Sequence, residues 1–294
     1  MTRCHPTPET LAQLLAGTLG DPAARREAAS HLRRRCAVCL RNLRGGADPP
    51  PLTASPPRPA GDVYPELLAR GLDRTAEVRT AIAGDAVDAM ACWTLLQGAS
   101  QARRFDLVHT DPRFHQWPLA QRLIETAADL ACDLPTEAAE MCRLALAIAE
   151  LLPLDRYPKS LRHDLRARAH GLSAEALRRE GRLREARRAF GHAWLAADHG
   201  SGDPLERAAL LSLEANLHLT LGDFPTAIAL LRPAAAAFRL HRESGHEGRA
   251  LYKLALAMGY EQPQRGAALA RRALARIDAA SDPRLDLATR HALI

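Results

Sequence analysis

The chain has 294 residues, 58 of them alanine and 47 leucine, against 5 valines, 6 isoleucines and 4 % aromatics. Strands draw on β-branched and aromatic side chains, so this composition excludes most β and α/β folds and predicts an all-α protein. The 40 basic and 34 acidic residues, net +6, are too nearly balanced for a dedicated nucleic-acid binder, and no apolar run approaches the roughly 18 residues of a membrane span.

Residues 1–45 read as a short helical head. Pro8-Glu9-Thr10 opens a run carrying Leu11, Leu14, Leu15 and Leu19, and Asp21 before Pro22 has the pattern of a helix N-cap with proline at the first helical position. The second head helix carries His31, Cys36 and Cys39 and ends at Gly45-Gly46. Six prolines between Pro49 and Pro59 then make residues 46–63 a semi-rigid linker. From Tyr64 helical periodicity runs to the end, with helices expected over 65–83, 84–99, 113–132, 135–152, 164–180, 183–199, 204–221, 224–242, 246–259, 264–279 and 283–294. Short connections make successive helices antiparallel neighbours.

A repeat of about 40 residues organises the second half. Ala174, Ala215 and Ala255 fall at one position of a first helix, and Ala186, Ala227 and Ala267 at one position of a second. Gly181 and Gly222 mark the turns between them, each followed two residues on by Leu183 or Phe224; Gln262 and Gln264 take these places in the third unit. Small residues let paired helices approach and glycine turns the chain, so the spacing predicts a helical-repeat solenoid, with a degenerate preceding pair in 64–152 and repeats over 153–294.

The segments from Gly181 to Phe190 and from Gly222 to Ala227 resemble the inter-helix turn of tetratricopeptide repeats, although that family's period is 34 residues. The resemblance implies a concave, partner-facing surface on the first helix of each pair. Carried over position by position, it implies partner contacts at Arg168, Arg178 and Arg179 in the first unit, Asn216 in the second, and Arg249, Tyr252 and Tyr260 in the third, with Glu175 the one acid among them. Such a surface suits an acidic segment of a protein partner.

The head contains the one cluster with metal-ligand character. His31-Leu32-Arg33-Arg34-Arg35-Cys36-Ala37-Val38-Cys39, with Cys4 upstream, resembles the zinc-binding anti-sigma-factor fold. The resemblance implies zinc as a cofactor, His31, Cys36 and Cys39 as ligands, Cys4 as the fourth, and a transcription regulator as a partner. Five residue steps place His31 and Cys36 about 140° apart on an unbroken helix, so zinc requires a break at residues 33–35. Without that break, thiols and imidazole pack inside a metal-free hairpin. The Arg33-Arg34-Arg35 triplet reads as a solvated face, a contact for an acidic partner, or a phosphate contact.

No Walker loop, nucleophile elbow, Rossmann glycine pattern or His-Glu-x-x-His occurs in the sequence, and an enzyme is not expected. The opening residues lack the apolar core of a signal peptide. A cytoplasmic address follows as an expectation, with the six cysteines reduced. The whole predicts a protein-interaction scaffold, regulatory in role. A nucleic-acid-associated transcription regulator that uses the basic head is the alternative.

Overall fold

The computed structural model describes residues 6–15, 19–21, 23, 24, 28 and 63–293. It divides into two compact units, Met1–Gly71 and Leu72–Ile294. Twelve α-helices and no strand occur among the described residues. We label them α1 (Pro8–Leu15), α2 (Val63–Gln97), α3 (Gln101–Thr110), α4 (Trp117–Leu130), α5 (Pro135–Leu151), α6 (Lys159–Arg179), α7 (Leu183–Ala197), α8 (Pro204–Thr220), α9 (Phe224–Leu240), α10 (Ser244–Gly259), α11 (Pro263–Leu274) and α12 (Pro283–His291).

In the first unit, the Asp21 carboxylate accepts the backbone N–H groups of Ala23 and Ala24 at 2.9 and 3.3 Å, the helix-starting role its sequence predicts. Most of the linker 46–63, with Cys4, His31, Cys36 and Cys39, lies outside the described residues.

The second unit is a helical-repeat solenoid in which α4 packs on α5, α6 on α7, α8 on α9 and α10 on α11, while the first helices α4, α6, α8 and α10 also lie side by side. Ala174, Ala186, Ala215 and Ala227 are all fully buried, as the alignment requires. Two features differ from the sequence expectation at the start of the unit. The expected helices 65–83 and 84–99 are one helix, α2, which runs through Gly84. A single glycine costs a helix only about 1 kcal/mol, and Asp85, next in sequence, ties α2 to Tyr157 and Arg156. An unexpected helix, α3, follows; Arg104 fixes it by donating to the Leu96 carbonyl at the end of α2 (2.8 Å) and to Glu140 of α5 (3.0 Å).

Gly181 and Gly222 take φ of 77° and 71°, and each closes its helix with a six-residue return bond, Arg182 N–H to Leu177 O and Asp223 N–H to His218 O, both 2.9 Å. The turn after α9 has the same return bond, from Glu243 N–H to Phe238 O at 2.8 Å, but places Arg242 at φ 63°. A side chain in this left-handed region costs about 1 kcal/mol that glycine avoids. Replacing Arg242→Gly is therefore expected to raise stability by about that amount and Gly222→Ala to lower it equally, as read by denaturant unfolding.

The third unit is one residue out of the expected register. Asp223 and Gln262 both precede the first residue of their second helices, 39 positions apart. The small position matching Ala227 is thus Gly266, which is buried, whereas Ala267 is half-buried. A Cβ on Gly266 would stand 2.6 Å from Gly259 Cα, so α10 and α11 cross backbone on backbone. In the same register Phe190 and Leu231 correspond to Ala270, so the last repeat has the smallest side chain at this buried position.

Candidate binding groove

The first helices build one groove. Two hollows of about 300 and 1220 Å³ share Leu172 of α6, Leu213 of α8, and His246, Arg249 and Lys253 of α10 as a common wall. Their lining comes overwhelmingly from α4, α6, α8 and α10, joined by the segment leading into α12. Arg168 lines the smaller hollow, Arg178, Arg179, Asn216 and Tyr252 line the larger, and Arg249 lines both. Tyr260 does not join them. It stands 82 % exposed just beyond α10, against the Phe224 ring with centroids 5.7 Å apart.

Bringing the six together does not leave them equally free. Glu175, buried on α6, takes the Arg178 fork through Nη2 at 2.6 Å and Nε at 2.9 Å, Arg179 Nε at 3.1 Å and Asn216 Nδ2 at 3.2 Å. Burial raises the Glu175 carboxyl, but the Arg178 bonds and charge with the Asn216 bond outweigh it and hold the group below its ordinary value. Arg178 also donates to Thr220 on α8 at 2.9 Å. Arg168 donates to Gln121 on α4 at 2.5 Å, lies 3.4 Å from Glu206 on α8 and sits over the Trp117 ring. Arg178 spends its fork on Glu175 within α6 and one further N–H on α8, while Arg168 bridges from α6 to α4 and lies beside a carboxylate of α8.

A charge that sequence reasoning missed is the available one. Lys253, half-buried at the junction of the two hollows, donates from Nζ to the Ser212 carbonyl at 2.8 Å and to the Ser212 hydroxyl at 3.0 Å. Among the described residues no carboxylate lies within ion-pairing distance of it. Burial lowers its pKa to about 8; the charges of Arg249, Arg178 and Arg179 push the same way and Glu175 opposes them. A faint signal existed: the chain has 38 arginines and two lysines, Lys159 and Lys253, so a lysine inside the repeats runs against its bias. Beside it, Arg249 is exposed and bonds Asp282 at 2.6 Å, and burial raises the Tyr252 phenol.

The Lys253 shift fixes a pH dependence. Its folded pKa lies below the unfolded lysine value of 10.5, so the folded state carries a penalty below about pH 8 that is relieved as pH rises towards 10.5. Lys253→Met is expected to raise the melting temperature at pH 7 and to flatten the rise in stability between those limits. Thermal unfolding of both proteins across that range checks it, with only one other lysine in the background.

The described residues hold no group of three or more histidine, cysteine, aspartate or glutamate side chains able to share a metal ion, and no helix among them is long and apolar enough to cross a membrane. No family model, curated protein or solved structure matches the chain. Fold and groove define its class: an all-α helical-repeat protein with a groove along the first helices of its pairs.

Proposed function

We propose that the chain is a protein-interaction scaffold whose inner groove binds an acidic segment of a partner. One observation carries the reading: Lys253 is a half-buried cation at the centre of the groove, bonded to Ser212 and, among the described residues, with no carboxylate at ion-pairing distance. A cation held out of bulk water without a direct ion-pair partner costs free energy that the more distant Glu175 only partly offsets, and an incoming carboxylate offsets the rest while Tyr252 and Leu256 supply contact area. The tetratricopeptide resemblance points to the same face.

The role is regulatory in this proposal, with the head acting on a transcription regulator as a zinc-binding anti-sigma-like hairpin. That part rests on the His31, Cys36 and Cys39 motif with Cys4. It requires about one zinc per chain, released when Cys36→Ser and Cys39→Ser are combined. Elemental analysis that finds no zinc in protein purified without chelator removes the metal from the proposal.

Peptide display on the intact chain tests the groove. Enriched sequences should be rich in Asp and Glu, and their affinity should fall about tenfold or more in Lys253→Met without loss of melting temperature. Enrichment of neutral or basic peptides only, or affinity of every enriched acidic peptide indifferent to Lys253→Met, overturns the reading.

A further inference from the structure

A third hollow, of about 410 Å³, lies on the opposite side of α10, between α9 and α11. Leu251 and Leu254 form its bottom, with Met258 and Leu269 half-buried above them. Four arginines frame it, Arg232 and Arg239 on α9 and Arg265 and Arg272 on α11. On each helix the two are seven residues apart, which is nearly two full turns and a rise of about 10.5 Å along one face. All four are exposed. Among the described residues none has a carboxylate within ion-pairing distance, and Arg265 spends one N–H on Gln262 at 2.6 Å. The one acid in the lining, Glu247, is buried and paired with Arg276 at 3.2 Å.

We propose that this outer groove docks an acidic amphipathic helix of another protein. An apolar trough between two helices, with α10 as its floor, has the shape that receives a third helix, apolar face down. Cation rows at heptad spacing on both rims match carboxylates seven residues apart on both flanks of that helix, and arginine forks bind carboxylates through two bonds. Met258 adapts to whichever aliphatic side chain enters. The lining contains no aromatic residue to stack a base, and its floor is apolar, so a nucleic-acid strand leaves most of the groove unused. A second copy of this chain meeting it groove to groove presents the same cationic rims and is repelled. The site faces away from the inner groove and does not depend on it.

The probe is a dye-labelled, stapled helix of roughly 14 residues, long enough to span both arginine pairs. It carries leucines on one face and two glutamates, seven positions apart, on each flank; its control carries glutamine in their place. Fluorescence anisotropy should show the glutamate helix bound, the glutamine helix about tenfold weaker or worse, and the same loss on combining Arg232→Glu with Arg272→Glu. Ala268→Trp, which fills the trough without changing charge, should also block binding, whereas Lys253→Met should leave it intact. Equal binding of the glutamine helix, displacement by duplex DNA, loss in Lys253→Met, or a dimer in sedimentation that the arginine variants dissociate would each overturn the proposal.

Discussion

Glu175→Ala is expected to destabilise the repeat unit by about 3 kcal/mol or more, the cost of leaving partners of a buried charge unpaired. The carboxylate is the common acceptor for Arg178, Arg179 and Asn216. Arg178 has little freedom to escape, with 15 % of its side chain exposed, whereas Arg179 at 38 % can turn to water. The loss also withdraws the negative charge that supports Lys253. Glu175→Gln keeps an acceptor but removes the charge and should fall between the two. The pH profile has a fixed sign: Glu175 is held below its ordinary value of 4.5, so its stabilisation is complete above that value and is lost as pH falls through the folded pKa. Urea unfolding at pH 7 and at acid pH, wild type against both variants, reads these effects; a Glu175→Ala cost near zero would mean that the arginines carry no structural charge pairing.

Gly266→Ala is expected to destabilise by roughly 1–3 kcal/mol, against the ordinary trend for a helix interior, where the same change stabilises by about 1 kcal/mol. The new Cβ would meet Gly259 Cα at 2.6 Å and the Ala255 carbonyl and Gly259 nitrogen at 3.1 Å. These are backbone atoms that no rotamer change can move, so α10 and α11 must separate. Gly191 provides the control: it lies inside α7 with nothing within 4 Å of its Cβ position, so Gly191→Ala should show the stabilising trend. Opposite signs for the two substitutions in one denaturation experiment confirm the crossing; the same sign for both would remove it.

What the sequence made legible is what short-range chemistry encodes. Gly181 and Gly222 announced turns because a left-handed residue and a six-residue return bond are local demands, and the alanine register of the first two units follows from helix geometry. The third unit misled for a compositional reason: in a chain with 58 alanines, Ala267 looks as suitable for a close crossing as Gly266, and a one-residue shorter repeat leaves no mark. Helix α3 was hidden because its anchor, Arg104, reaches back to Leu96 and across to Glu140.

The groove was legible as a face but not as a charge distribution. Glu175 stands three and four residues before Arg178 and Arg179, the spacing of helical ion pairs, so their pairing was available to sequence reading. The bonds of Arg178 to Thr220 and of Asn216 to Glu175 span 42 and 41 residues and depend on how α6 meets α8. The same holds for Lys253 and Ser212, 41 residues apart. Tyr260 failed for the reverse reason: position counting carried it past the end of α10, where Phe224 rather than the groove receives it.

The central claim is that the inner face of the first helices receives an acidic segment at Lys253. Hydrogen–deuterium exchange of the whole chain carrying Arg232→Glu and Arg272→Glu, which close the outer groove to acids, with and without a saturating acidic peptide selected on that variant, tests this most directly. The account predicts slowed exchange on the groove-lining stretches of α6, α8 and α10, no change in α7, α9 and α11, and no protection at all in Lys253→Met at the same peptide concentration. Protection confined to α7, α9 and α11, or undiminished in Lys253→Met, would contradict it.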